Sequence, residues 1–325
     1  MIALLSALAF YLAGLPALRT LRLSPLIVGI LIGVVLGNTV RERIPTHWTS
    51  GILYSAKIIL RLAIILYGFR ITFSQIADVG IGGLLVDTIM LTTTLTLGCF
   101  FGIRVLGMDK ETAIMTSAGA AICGAAAVVA TEPLVKAEAH KTAVAIGTVV
   151  LFGTLGMFAY PMVYRMGWIP MPEEVFGIYI GATVHEVAHV VGAGEAVGEL
   201  AAQTSVIVKM TRVMLLAPAL LVIGWFLSRE QRDSDGKSTP VTIPWFAVGF
   251  VGVAAINTLD LLPQSLVNGL NIFDTFLLTM AMTALGVETN LSKFKGMGLQ
   301  PIYLAFGLFC WLIAAGYFVT QWLGH

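Results

Sequence analysis

The stretch GATVHEVAHVVGAG, residues 181–194, sets His185 and His189 four apart with Glu186 beside the first. On a helix this spacing places both imidazoles on one face next to a carboxylate, the arrangement that binds zinc and supplies a general base. Gly192 and Glu195 extend it to H-E-x-x-H-x-x-G-x-x-E, although the longer zinc pattern ends in histidine. A third ligand would come from a later segment. The candidate is Asp260 in INTLDLLP, which lacks the Leu-Asp-Gly context that intramembrane metalloproteases use. An intramembrane zinc metalloprotease using His185, Glu186 and His189 is therefore the enzyme alternative. The competing readings are hydrogen-bonded structural histidines, or a polar transport site with no resident metal and no catalytic residue.

The surroundings of the motif decide between them. Of 325 residues, 58% are hydrophobic and 11% charged, against about 25% charged in soluble domains. With a mean hydropathy of +0.91 this is an all-α polytopic membrane protein. Long unbroken apolar runs exclude the alternating strands of a membrane barrel. A net charge of +1 gives no basis for a nucleic-acid partner, and the lipid bilayer is the expected environment. Cys99, Cys123 and Cys310 lie in apolar stretches and are spaced for neither disulfides nor a metal knuckle. The N-terminal run lacks a basic region ahead of it, so it reads as a retained helix. In such a setting Glu186 and two histidines cost several kcal/mol to bury, so they should face a cavity or a polar partner.

Eleven apolar segments follow from a spanning length of roughly 20 residues. They lie near 1–18, 24–40, 52–69, 80–104, 112–131, 141–164, 174–194, 204–227, 244–262, 270–288 and 300–323. The fold expected is 10–11 transmembrane helices forming one transporter domain over 1–325. An extra N-terminal helix covers 1–18, a first repeat region 52–164, a second 174–323, and SREQRDSDGKST at 228–239 is the hydrophilic loop. Lysine and arginine counts place the N-terminus and that loop in the cytoplasm and the C-terminus outside, with Arg19 and Arg22 arguing the other way.

Two internal similarities point to repeats. Residues 63–81 match 281–299 at an offset of 218, with Ala63/Ala281, Gly68/Gly286, Ser74/Ser292 and Gly80/Gly298 identical. Seven segments separate the copies, as in the inverted repeats of secondary transporters. GAAICGAAAVVA at 119–130 aligns with GATVHEVAHVVG at 181–192 at an offset of 62. Cys123, Gly124 and Ala127 then stand where His185, Glu186 and His189 stand. Two segments separate these copies, so either one is broken or re-entrant, or the second repeat is permuted.

The small-residue segment MTSAGAAICGAAAVVATEP can pack closely, and Gly119 and Gly124 permit local unwinding before Pro133. An unwound helix at membrane depth lines a cavity and aims half-helix N-termini at anions; a tightly packed inert helix is the plain alternative. The expected substrate site is the place where 117–125 and 181–189 meet, formed by Ser117, Gly119, Cys123, Gly124, Thr183, His185, Glu186 and His189. His185 titrates in a range suited to a proton-linked step. Ionisable residues in other apolar stretches are Lys57, Arg61, Asp87, Lys209, Arg212, Asp260 and Asp274. Lys209 and Arg212 either snorkel to the headgroups or serve as charge-balancing groups that attract an anion or neutralise Glu186. Thr283, Glu288, Thr289 and Asn290 could supply oxygens for substrate or a coupling cation, sodium or a proton. No G-x-x-x-x-G-K-[ST] is present, so the chain carries no P-loop ATPase.

SAGAAICGAAAVVA, GATVHEVAHVVGAG and TALGVETNLSKFK, in this order, resemble the YeiH family of bacterial inner-membrane proteins, and the likeness covers nearly the whole chain. The family is labelled as sulfate exporters and grouped with the bile-acid/sodium symporter-like superfamily. The resemblance implies an inner-membrane location, two inverted repeats with two crossing discontinuous helices, and a small anionic substrate such as sulfate, sulfite or a small organosulfur compound. The family's version of the motif often carries glutamine where His189 stands, which speaks against a role that needs imidazole there. Besides substrate and lipid, a second copy of the chain is the one further partner considered.

Overall fold

The computed structural model describes residues 1–15, 24–39, 45–230, 245–289 and 298–323. Asn290 and most of the hydrophilic loop 228–239 lie outside them. Among the described residues every regular element is helical, as lipid demands of backbone that must satisfy its own hydrogen bonds. In chain order the helices are α1 (Ile2–Ala13), α2 (Pro25–Thr39), α3 (Thr46–Tyr54), α4 (Leu60–Tyr67), α5 (Phe73–Phe100), α6 (Lys110–Ala121), α7 (Ala125–Val135) and α8 (Ala139–Arg165). They continue with α9 (Glu173–Thr183), α10 (Val187–Val197), α11 (Glu199–Met214), α12 (Leu216–Glu230), α13 (Trp245–Thr258), α14 (Gln264–Glu288) and α15 (Gln300–Leu323). A π-helical turn, Ser55–Ile59, joins α3 to α4.

Each of the eleven apolar segments has a helical counterpart. Among the described residues, six stretches are long and apolar enough to cross a membrane: Trp48–Arg70, Val79–Val105, His140–Arg165, Glu199–Leu227, Gln264–Glu288 and Gln300–Leu323. The protein is thus an all-α polytopic membrane protein. Segments 112–131 and 174–194 are each split into two half-helices, α6/α7 and α9/α10.

The chain divides into two compact units. The first comprises Met1–Asp78, Glu195–Glu199 and Trp245–Lys295. Its tightest packing joins α2 to α14. Gly29, Gly33 and Gly37 recur every four residues on one face of α2 and lie against Thr283, Gly286 and Val287 of α14, where any side chain would strike the opposing backbone or the Thr283 hydroxyl. Thr283 hydrogen-bonds the Thr279 carbonyl at 2.8 Å, so it belongs to this helix contact. Thr289 likewise donates to Leu285 O at 2.8 Å. Arg70 organises a polar cluster in the same unit. It pairs with fully buried Asp274 at 3.2 Å and Glu195 at 3.7 Å, and donates to Thr275 Oγ1 and Asn271 O. Glu195 therefore meets an arginine, which removes it from any extended zinc pattern. Asp260, at the end of α13, is an exposed turn residue with φ 49°.

The second unit comprises Val79–Gly194, Leu200–Pro244 and Gly296–His325. It contains α6, α7, α8, α9, α12 and α15, and most of α5, α10 and α11. Helix α5 bends at Gly80, where φ 57° and ψ −160° leave the helical range. Val86 and Met90 of α5, Ile178 and Ala182 of α9, Val208 of α11 and Leu312 of α15 form one core. Met115 of α6, Val128 of α7, and Ala145 and Val149 of α8 form a second. Each core thus takes in residues of a half-helix, α9 in the first and α6 and α7 in the second.

Candidate functional site

Backbone geometry defines the site before any side chain does. Helix α6 stops at Ala121, Ile122 turns away at φ −111° and ψ −89°, and Gly124 at φ 81° and ψ −137° leads into α7. Helix α9 stops at Thr183, Val184 is extended at φ −75° and ψ 137°, and the chain becomes helical again at Val187. The interruptions, 122–124 and 184–186, are 62 residues apart position for position, the same offset that aligns the two sequences. Each break leaves carbonyls and N–H groups without intrahelical partners.

Two side chains take up three of these groups. Lys209 of α11, fully buried, donates to Ile122 O at 3.0 Å and Val184 O at 2.7 Å. Those are the carbonyls just past the C-terminal ends of α6 and α9, where the helix dipoles present partial negative charge. One ammonium therefore ties both breaks together. Each such charge-assisted bond contributes about 1.5–3 kcal/mol, which offsets the cost of burying the cation. Glu186 answers from the opposite side. Its Oε1 accepts from Ala125 N–H at 3.1 Å, an orphan donor at the positive end of α7. The Glu186 side chain runs so close to Gly124 that a Cβ there would overlap it.

The histidines diverge. His189 Nε2 lies 3.2 Å from Thr154 Oγ1, its Nδ1 approaches Glu186 Oε2 at 3.4 Å, and its ring covers Gly153 of α8. His185 stands inside the second break with its ring 6.2 Å from that of Phe309 on α15, and its Nδ1 has no hydrogen-bond partner among the described residues. The helical register that would align both imidazoles is absent, because 184–186 are unwound. Among the described residues no group of three or more His, Cys, Asp or Glu could hold a metal ion.

Arg212, one turn beyond Lys209, is also fully buried and pairs with buried Asp87 of α5 at 2.8 Å. Neither base snorkels. Lys57 and Arg61, by contrast, are exposed. The pairing of Asp87 with Arg212 is the feature of this region that the sequence reading does not foresee. An acid alone in a long apolar helix needs a buried partner, and that signal was present in Asp87.

The remaining predicted residues divide as follows. Cys123 and Gly124 form the first break, and Cys123 is a buried free thiol. Ser117 lies one turn before it; its hydroxyl donates to Ala113 O at 2.6 Å and packs against Gly98 of α5. Gly119 makes room for Val128 and Val149. Thr183 donates to Tyr179 O and packs its methyl on Gly316 of α15. Ser117 and Thr183 thus serve helix contacts next to the breaks. Thr283 and Glu288 belong to the other unit.

The model for conserved hypothetical protein 698 matches residues 1–305. A UPF0324 membrane protein of Bacteroides thetaiotaomicron is 46% identical over 326 residues, covering 99% of this chain and 97% of the relative. The UPF0324 inner membrane protein YeiH of Escherichia coli K12 is 49% identical over 314 residues, covering 97% and 90%. A UPF0324 membrane protein of Bordetella pertussis is 47% identical over 322 residues, covering 98% and 92%. No solved structure matches. A split-helix membrane protein with this motif order and these full-length relatives belongs to the UPF0324 family, that of the YeiH inner-membrane proteins.

Proposed function

We propose that the chain is a secondary transporter of a small anion, of the sulfate, sulfite or small organosulfur class, working by alternating access. The observation that carries this is the meeting of two interrupted helices at buried, charged side chains. Unwound backbone within a membrane-spanning fold is tolerated where it lines a site, and split helices present ionic ends to substrate and coupling ion. The anionic preference is supported by the N-terminus of α7, which already holds one carboxylate oxygen of Glu186 at 3.1 Å. A substrate oxyanion would take the same kind of contact, exchanging with Glu186 as it binds. In this reading Glu186 and His185 are the polar groups beside the substrate.

No enzymatic step is proposed. The zinc reading needs two histidines on one helical face, and the second break separates them.

Purified protein should melt at higher temperature with millimolar sulfate, sulfite or a short alkyl sulfonate than with chloride, by mass action. Reconstituted into liposomes, it should exchange radiolabelled sulfate or sulfite above empty vesicles. Absence of both effects across the three anions would reject the proposal. Stoichiometric zinc that only chelators remove, together with cleavage activity lost in Glu186→Ala, would favour the protease.

A further inference from the structure

We infer that the carbonyl pair Ile122 O and Val184 O is a monovalent-cation position, and that the chain fills it permanently with its own Lys209 ammonium in place of a sodium ion. Three observations carry this. Both carbonyls lie just past the C-terminal ends of half-helices, α6 and α9, where oxygens free of intrahelical bonds carry the dipoles' negative charge. Such ends coordinate a cation in split-helix transporters generally. Nζ sits 3.0 and 2.7 Å from the two oxygens, and the residue is fully buried.

The other charges around Lys209 are engaged elsewhere. On its own helix, Arg212 pairs with Asp87 of α5 at 2.8 Å. Glu186, entering α10, is held by Ala125 N–H and approached by His189. Cys123 in the first break is a buried free thiol, and His185 faces Phe309. The ammonium is therefore balanced chiefly by backbone dipoles, which is the environment of a coordinated alkali ion. A tethered cation cannot dissociate with substrate, so sodium has no entry at this carbonyl pair.

The cation position stands on geometry alone; the consequence for coupling, that this carrier runs without sodium at these carbonyls, rests on the transport reading above. The test needs no substrate, so its failure and the failure of that reading are separable. Melting temperatures of the wild type and of Lys209→Ala would be compared in sodium, methylammonium and choline chlorides at equal ionic strength. The wild type should melt at the same temperature in sodium and choline. Lys209→Ala should melt about 5–10 °C lower in choline, the loss expected for two orphaned carbonyls, and sodium or methylammonium should recover at least half of it. Lys209→Gln, which keeps an amide donor without the charge, should fold with an intermediate melting point and respond to neither ion. A sodium-specific rise in the wild type would overturn the inference. So would a Lys209→Ala protein whose melting point is the same in all three salts. Should Lys209→Ala fail to fold, the wild-type comparison and Lys209→Gln decide alone: sodium stabilisation of either one refutes the built-in cation.

Discussion

The two breaks occupy matching positions of two similar sequences, yet they are built from opposite resources. The first, Ile122-Cys123-Gly124, contributes backbone. Gly124 adopts φ 81°, and the turn exposes the Ile122 carbonyl and the Ala125 N–H. The second, Val184-His185-Glu186, opens with Val184 at φ −75° and contributes a carboxylate and an imidazole. A break can therefore be specified by a residue that tolerates an unusual conformation, or by side chains that reward unwinding elsewhere. Both breaks present a carbonyl to Lys209, and beyond that each half supplies what the other lacks. Gly124 has no Cβ because Glu186 lies where one would be, and Glu186 is held by the N–H that the Gly124 turn releases.

If that complementarity is real, substitutions in the first break should cost more than those in the second. Gly124→Ala should be the most damaging. Left-handed strain and overlap with Glu186 together should cost about 3 kcal/mol or more, seen as a large fall in melting temperature in detergent. Glu186→Ala should cost about 1.5–3 kcal/mol through the lost charge-assisted bond to Ala125 N–H, with Glu186→Gln retaining part of it. The double substitution would sharpen the comparison. Removing Glu186 relieves the overlap but not the strain, so Gly124→Ala should cost about 1 kcal/mol less in the Glu186→Ala background. Additive costs would mean that the two residues do not share one space.

Much of this was legible in the sequence because composition and repeats report directly on membrane insertion. Long apolar runs marked the eleven segments, and the 62-residue offset put Cys123-Gly124 opposite His185-Glu186 before any backbone was seen. Side-chain partners were not legible, since they depend on which helices adjoin. Lys209 and Arg212 lie one turn apart and looked alike, yet one bonds two carbonyls and the other an aspartate. Ser117 and Thr183 are polar and lie near a break, which in the sequence points them toward a pocket. In a helix, however, a serine or threonine hydroxyl can bond the carbonyl four residues back, and both do. The H-E-x-x-H spacing raises a related point: the motif's geometry presumes a continuous helix, and here that helix is interrupted inside the motif.

A smaller effect is expected at the far end of the first element. Asp109 caps α6, accepting from Thr112 N–H at 3.0 Å, and Lys141 lies 3.1 Å away. Partial burial pushes its carboxyl up, but the bonds from Thr112 and Lys141 outweigh this and hold it down at about 2. A depressed carboxyl stabilises the fold above its unfolded value and loses that contribution as pH falls toward 2. Asp109→Ala should therefore cost about 1 kcal/mol at neutral pH and nothing measurable once Asp109 is protonated. A cost that persists undiminished at low pH would locate the effect in packing.

The smallest effect should come from His189→Gln, and it bears directly on what the second break is for. His189 contributes contacts to Thr154 at 3.2 Å and to Glu186 at 3.4 Å, from a fully buried position against Gly153. A glutamine amide offers one donor and one acceptor from a side chain of similar length, so both neighbours can keep a partner. Stability should change by less than about 1 kcal/mol, whereas His189→Leu, which removes the partner of Thr154 and leaves Glu186 only its bond from Ala125 N–H, should cost about 1–3 kcal/mol. Anion-induced stabilisation should survive in the glutamine variant and fall in the leucine one. The opposite pattern, a stable glutamine variant that has lost its anion response, would mean that the imidazole itself acts on the substrate. The second break would then carry chemistry that the first cannot supply.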